Sequence, residues 1–127
     1  MSDTYQSLFS EEIREPLCEL CDKYCIDPES GIDSEKYFTN LIKSINYTTI
    51  DDLIVSLEKI IKKDFIVMDK APDWIQGSDW QFNNGKPMIF IGQISKGYNN
   101  LGISYDMVFY VFYDPIDGCV KTIIQTD

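Results

Sequence analysis

In the first half of the chain, apolar residues recur every three to four positions, which is the period of an amphipathic α-helix. Three such apolar sets predict three helices: Ile13, Leu17, Leu20, Cys21, Tyr24 and Cys25; Tyr37, Phe38, Leu41, Ile42 and Ile45; Leu53, Ile54, Leu57, Ile60 and Ile61. Residues 65–127 instead contain short, dense apolar and aromatic runs, which are typical of strands. The pattern therefore predicts helices first and strands second.

Capping chemistry indicates where these helices begin. Four residues at the predicted starts are N-cap candidates followed by acids, which suit the positive end of a helix: Ser10, Ser34, and either Thr48 or Thr49. Pro16 allows two interpretations of the first helix, a kink at this residue or a start near Arg14 with Pro16 in the first turn. Residues 3–9 are predicted to form a short helix or an ordered arm before it.

Three runs predict antiparallel strands: residues 88–94, 107–113 and 120–125. Asn84-Gly85 predicts a hairpin turn, because both residues tolerate positive φ. The segment 114–118 predicts a second turn, and 97–102 a glycine-bearing hairpin loop. Residues 65–68 are either a short strand or an extension of the third helix.

These elements predict an α+β fold in which N-terminal helices pack on a C-terminal antiparallel sheet. The length suits a single domain over residues 1–127, mainly helical in 1–64 and mainly strands in 65–127. Both tryptophans, Trp74 and Trp80, lie where the helical half meets the strands. We expect at least one of their rings to pack under the sheet.

Charge narrows the classes of partner. The chain has 21 acidic and 11 basic residues, a net charge of −10, and no histidine. This balance argues against direct binding of nucleic acid or of an anionic membrane surface, and it allows fast capture of a basic partner. Solubility alone is the other explanation. Residues 1–64 are the more acidic half, with 14 acids and 7 bases.

The sequence offers no targeting signal. No apolar run reaches the ~18 residues of a membrane span, and the first residues lack a basic region followed by an apolar one. We therefore expect a cytoplasmic protein.

Three of the four cysteines, Cys18, Cys21 and Cys25, have helical spacing. Thiolates are soft metal ligands, but three thiols on one straight helix spread over about 10 Å, too far to converge on one ion. We therefore interpret them as a small apolar stripe facing the core. No metal and no cofactor is expected.

The sequence lacks the residues of common catalytic arrangements, because a chain without histidine has no Ser-His-Asp or Cys-His arrangement. Asp73 and Asp79 flank the tryptophans and suggest a carboxylate-dependent hydrolase, although aspartates in such turns are usually surface residues. Gln76 and Gln93 are either a polar recognition point near the tryptophans or glutamines that satisfy neighbouring backbone. We expect a binding protein and not an enzyme.

The stretch Pro72-x-Trp74-x-Gln76, Trp80, and 85–94 (GKPMIFIGQI) resembles a bacterial domain of uncharacterised function. The strand 110–114 and the terminal 121–125 segment are also similar, so the resemblance covers about residues 71–127. This chain has Gln81 where the domain usually has proline. Some relatives resemble immunity proteins of polymorphic or contact-dependent growth-inhibition toxin systems.

The resemblance implies a small inhibitor that captures a toxin domain and blocks its active site. Many such toxins are nucleases, which are basic, and an acidic inhibitor imitates the polyanion that they bind. The candidate partner-binding residues are acids of the helical half and two tyrosines: Glu11, Glu12, Glu15, Glu19, Asp22, Asp51, Asp52, Tyr98 and Tyr105. The alternative is a stand-alone peptide or small-molecule binding module that uses the tryptophan region.

Overall fold

The computed structural model describes residues 9–100 and 103–126, with the backbone alone at 98–100 and 103–105. Within these residues the helices are α1 (Glu11–Asp22), α2 (Ile32–Ser44) and α3 (Ile50–Asp64). The strands are β1 (Phe82–Asn83), β2 (Lys86–Pro87), β3 (Ile89–Asn100), β4 (Ile103–Tyr113) and β5 (Val120–Thr126). β3, β4 and β5 form an antiparallel sheet in that order, so the predicted α+β class is confirmed.

One hydrophobic cluster joins the helices to the sheet. It includes Leu17 of α1 and Leu57 of α3, together with Phe112 of β4. The Phe65 ring links the two layers, since its centroid lies 5.9 Å from that of Phe38 on α2 and 5.2 Å from that of Trp80. The core therefore lies between the helical layer and one face of the sheet.

The starts of α1 and α3 follow the capping signals. Ser10 occupies the N-cap position of α1, where its carbonyl, not its side chain, accepts a hydrogen bond from the Arg14 amide at 2.8 Å. Thr49 caps α3 with its hydroxyl oxygen, which accepts from the Asp52 amide at 3.1 Å. α1 includes Pro16 in its interior, so the predicted alternative of a start near Arg14 is wrong.

The predicted start of the second helix is also wrong. α2 begins at Ile32, with Gly31 at its N-cap position, so Ser34 lies inside the helix. The Ser34 hydroxyl donates to the Asp27 carbonyl at 2.9 Å, and the residue is buried. A contact to the preceding loop therefore holds the serine that the sequence marks as a cap.

The sheet is longer than the apolar runs. β3 continues to Asn100 and β4 begins at Ile103, so the loop predicted over 97–102 is mostly strand. Asn84 and Gly85 have φ of 53° and 76°, which confirms the hairpin turn. Residues 65–68 do not extend α3, which ends at Asp64. They do not form a strand either, since Val67 makes only a single parallel bridge to Phe90.

Two other expectations concern the ends of the chain and the membrane. The predicted arm over residues 3–9 lies outside the described residues except for Phe9, which is buried. Among the described helices, none has both the length and the apolar character that a membrane crossing needs.

Candidate functional site

The candidate site begins with the acids of α1 and α3, which we call the acidic face. Its seven members are exposed carboxylates: Glu11, Glu12, Glu15, Glu19, Asp22, Asp51 and Asp52. Five of these acids are on α1 and two are on α3, and the two helices contact each other. The predicted acids therefore lie where a partner can reach them.

Glu19 and Asp51 line the same groove between α1 and α3. The groove has a volume of about 380 Å³, and Ile54 and Val55 contribute apolar surface to it. Carboxylates beside an exposed apolar strip offer both electrostatic attraction and area that a partner can bury.

The side chains of the acidic face form no ion pairs, although Lys23 lines the groove together with Glu19 and Asp51. Within the described part of the chain, none of its seven side chains makes a hydrogen bond or an ion pair with another side chain. Arg14, the basic residue within α1, instead binds Glu29 through two guanidinium nitrogens, with a shortest N–O distance of 2.8 Å. Seven carboxylates outnumber Arg14 and Lys23, so α1 and the start of α3 keep a net negative charge.

Helix chemistry explains only part of this set. Glu11, Glu12, Asp51 and Asp52 lie in first turns, where carboxylates favour the positive end of the helix. Asp22 ends α1, whose last turn has no basic residue. An acid there opposes the helix dipole by roughly 0.3–1 kcal/mol, so the position is not explained by stability of the helix.

A second feature lies at the same end of α1, which we call the Trp74 cavity. It has a volume of about 640 Å³ and lies between α1, the loop after it, and the tryptophan segment. Four carboxylate residues from these segments line it: Glu19, Asp22, Asp27 and Asp73. The residues that line it include no lysine or arginine, so the cavity favours a cationic occupant.

Trp74 is fixed in this cavity by contacts to both halves of the fold. Its Nε1 donates to the Cys25 carbonyl at 2.8 Å, and its ring centroid lies 4.6 Å from that of Tyr110 on β4. Trp80 is more deeply buried, and its Nε1 donates to the Met88 carbonyl at 2.9 Å. The expected packing of a tryptophan under the sheet is present in the structure.

Gln125 of β5 positions the segment that contains Trp74, and sequence reasoning did not identify it. Its Oε1 accepts from the Ile75 and Gln76 amides at 3.1 and 3.0 Å, and its Nε2 donates to the Gly77 carbonyl at 2.8 Å. Tyr110 adds to this clamp, since its hydroxyl donates to the Asp73 carbonyl at 2.8 Å. The sequence signal that could have identified Gln125 was an amide side chain at an inward-facing position of a predicted strand.

The other glutamines near the tryptophans satisfy backbone groups. Gln93 Oε1 accepts from the Asp73 amide at 2.7 Å, and Gln76 Nε2 donates to the Thr126 carbonyl at 2.6 Å. Each therefore matches the second of the two predicted interpretations and has a structural partner.

The cysteines do not form one stripe, so that prediction holds only for Cys21, which is buried. Cys25 lies beyond the end of α1 with φ of 61°, and Cys18 and Cys25 line the Trp74 cavity. Burial raises the pKa of Cys18 and of Cys25, and nearby carboxylates raise both further. Their thiols therefore stay protonated near neutral pH, which makes them poor nucleophiles.

Asp73 and Asp79 do not line one site. Asp73 lines the Trp74 cavity, whereas Asp79 lines an adjoining depression beside Gln125 that shares Gly77 and Ser78 with the cavity. Burial raises the pKa of Asp79, although a hydrogen bond from Gln81 acts in the opposite direction. The arrangement therefore gives the two flanking carboxylates no shared cavity in which to act as an acid and base pair.

Tyr98 and Tyr105, the predicted aromatic anchors, are directly opposite each other in the β3–β4 pairing. Their side chains lie outside the described part of the structure. β5 pairs with β4 only from Met107 to Tyr113, so the hairpin that carries both tyrosines extends beyond β5.

Comparison of the chain with protein-family models gives no match, and neither does comparison with curated proteins or with solved structures. The resemblance to immunity-type proteins therefore stays a prediction. The acidic face and the Trp74 cavity are the two features on which a function can be argued.

Proposed function

We propose that this chain is an immunity-type inhibitor that binds and neutralises a cognate, basic, nuclease-like bacterial toxin domain in the cytoplasm. The observation that carries the proposal is the acidic face, seven exposed carboxylates without side-chain partners in the described structure. A basic toxin domain supplies positively charged side chains that can pair with these carboxylates. The proposed inhibitor binds the toxin domain directly, with no nucleic acid and no membrane in the interface.

Electrostatic steering explains why such an inhibitor would have a net charge of −10. Complementary charge raises association rates above those of neutral pairs and selects against wrong partners. Glu19 and Asp22 are the most informative members, because they border the Trp74 cavity and lie away from the first turn of α1, where the dipole favours acids. Their placement fits recognition of a partner better than it fits helix stability.

Neutralising three acids of α1 tests the proposal. We expect Glu15→Gln, Glu19→Gln and Asp22→Asn together to lower the association rate with the toxin domain encoded beside this protein roughly tenfold at low salt. Stopped-flow mixing measures the rate, and added salt should lower the wild-type rate by screening. Growth rescue in cells that co-express the toxin domain checks that the interaction is inhibitory.

The matched control is Asp33→Asn, Asp69→Asn and Asp106→Asn, which removes the same charge from exposed positions outside the acidic face. It should change the association rate by much less. An equal loss of rate in both variants would show that net charge, and not the acidic face, determines the association rate. A wild-type rate that is unaffected by salt would contradict the steering mechanism.

The Trp74 cavity supports a second candidate function, the binding of a small organic cation. Four carboxylates and an indole line this cavity, which has a volume of about 640 Å³ and is open to solvent, and aromatic rings also attract cations. We expect agmatine, a guanidinium compound, to shift the NMR signal of the Trp74 indole N–H while the buried Trp80 indole signal stays fixed. Asp22→Asn should weaken this binding several-fold. If neither signal moves while a toxin complex forms, the cavity is not an independent ligand site.

A further inference from the structure

The Trp74 cavity and the acidic face meet on α1. Glu19 and Asp22 are members of the acidic face and also line the cavity. Glu19 lines the groove between α1 and α3 as well, so the groove, the acidic face and the cavity form one continuous surface. A partner that lies on the acidic face therefore reaches the cavity without a gap between the two contacts.

Carboxylates from two separate segments act on one thiol of the Trp74 cavity. Burial is the main cause of the raised pKa of Cys25, and Asp22 of α1 and Asp73 of the tryptophan segment add to it. Arg14 of α1 does not line the cavity, and its guanidinium is already paired with Glu29. The cavity therefore concentrates negative charge, and the residues that line it supply no cation to balance that charge.

Asp73 is positioned by its main chain, which leaves its carboxylate available. Its amide donates to Gln93 Oε1 at 2.7 Å, and its carbonyl accepts from the Tyr110 hydroxyl at 2.8 Å. Within the described part of the chain, the side chains of Glu19, Asp22 and Asp73 make no hydrogen bond and no ion pair. Three of the four carboxylates of the cavity can therefore accept donors from a partner.

A guanidinium group fits this lining better than an ammonium group does. It is planar, its five N–H donors form a rigid fork that bonds carboxylates, and it stacks on aromatic rings. The cavity supplies carboxylates together with the Trp74 indole, which the Tyr110 ring and the Cys25 carbonyl hold in place. A protein that binds the phosphates of a nucleic acid presents such groups as arginine side chains.

We propose that the Trp74 cavity receives an arginine side chain of the toxin domain that the acidic face attracts. The inference rests on the proposed function and adds a division of roles to it. The acidic face speeds the encounter by long-range attraction, whereas the cavity holds one side chain after contact and slows dissociation.

Titration with blocked pentapeptides tests the chemistry of the cavity without a toxin. Each peptide has one central residue between glycines: arginine, lysine, or citrulline, which is an uncharged analogue of arginine. We expect the arginine peptide to shift the NMR signal of the Trp74 indole N–H saturably while the Trp80 signal stays fixed. The lysine peptide should bind several-fold more weakly, and the citrulline peptide should leave both signals unchanged. An arginine peptide that moves neither signal overturns the proposal, as does equal binding of the lysine or citrulline peptide.

Asp73→Asn tests the role of the cavity in the toxin complex. Asp73 lies outside the acidic face, and the variant keeps both main-chain hydrogen bonds, so circular dichroism should show folded protein. The dissociation rate of the complex should rise roughly tenfold or more, because a charge pair in the interface is lost, while the association rate changes little. Asp33→Asn is the matched control, since it removes the same charge from an exposed residue that does not line the cavity. It should leave the dissociation rate unchanged.

Arginine-to-lysine variants of the toxin domain identify the side chain that enters the cavity. In double-mutant cycles with Asp73→Asn, one of them should show a coupling of roughly tenfold in the dissociation rate. A stable complex in which Asp73→Asn has no effect, or in which no arginine couples to it, overturns the inference and leaves the proposed function standing. Absence of any complex with the toxin domain overturns both, and the peptide titration then reports on the cavity alone.

Discussion

Replacing Trp80 with alanine is expected to lower the free energy of unfolding by about 3–5 kcal/mol, the range for large aromatic residues in cores. The side chain is 3% exposed, and its ring centroid lies 5.2 Å from that of Phe65 and 5.6 Å from that of Phe112. Alanine removes this contact between the helical layer and the sheet. It also leaves the Met88 carbonyl without the indole donor that bonds it at 2.9 Å. Urea unfolding, followed by circular dichroism, measures the loss.

Trp74→Ala is the matched control, because it is the same substitution at a half-buried position. We expect a cost of about half as much, since part of the Trp74 surface is already in contact with water. The two variants should also differ in function. We expect folded Trp80→Ala to keep the wild-type association rate with the proposed toxin partner, because the ring is buried, whereas the acidic face consists of exposed residues of α1 and α3. Equal destabilisation by both substitutions would show that the interior position of Trp80 is not what stabilises the fold.

The helices and the sheet could be predicted because their apolar periods are local signals. The set Leu53, Leu57 and Ile61 recurs at helical spacing, and all three residues are fully buried in α3. Asn84-Gly85 was equally readable, because its hairpin turn requires two positive φ values. In these elements the local preference and the tertiary contacts agree.

The errors arise where tertiary contacts override local preference. Ser34 has the chemistry of an N-cap, but its hydroxyl bonds the Asp27 carbonyl, and the helix starts before it. Gly97 and Asn99 favour loops in isolation, yet pairing across β3 and β4 extends both strands through them. Sequence patterns do not contain the partner that decides such cases.

The candidate site, like the fold, could be predicted only in part. Acids at helical positions with no basic neighbour in the last turn of α1 were visible in the sequence, so the acidic face could be predicted. The Trp74 cavity could not, because Asp22, Asp27 and Asp73 come from three segments that only the fold brings together. The same holds for Gln125, whose partners at 75–77 are about fifty positions earlier.

Replacing Gln125 with alanine should therefore lower the free energy of unfolding by about 2 kcal/mol. The substitution removes the partners of the Gln76 amide and the Gly77 carbonyl, and one of the two partners of the Ile75 amide. Urea unfolding measures the loss. Gln81→Ala is the control, because Gln81 Nε2 bonds only atoms of nearby Asp79, and its cost should stay within about 0.5 kcal/mol.

A double-mutant cycle with Tyr110→Phe shows whether the clamp acts as a unit. The Ile75 amide donates to both the Tyr110 hydroxyl at 3.2 Å and Gln125 Oε1 at 3.1 Å, so either single variant leaves it one partner. The double variant leaves it none, and its cost should exceed the sum of the single costs by about 0.5–1 kcal/mol. Additive costs would mean that the two side chains hold the segment independently. The NMR signal of the Trp74 indole N–H should broaden in the double variant, because the backbone before and after Trp74 loses the contacts that fix it against the sheet.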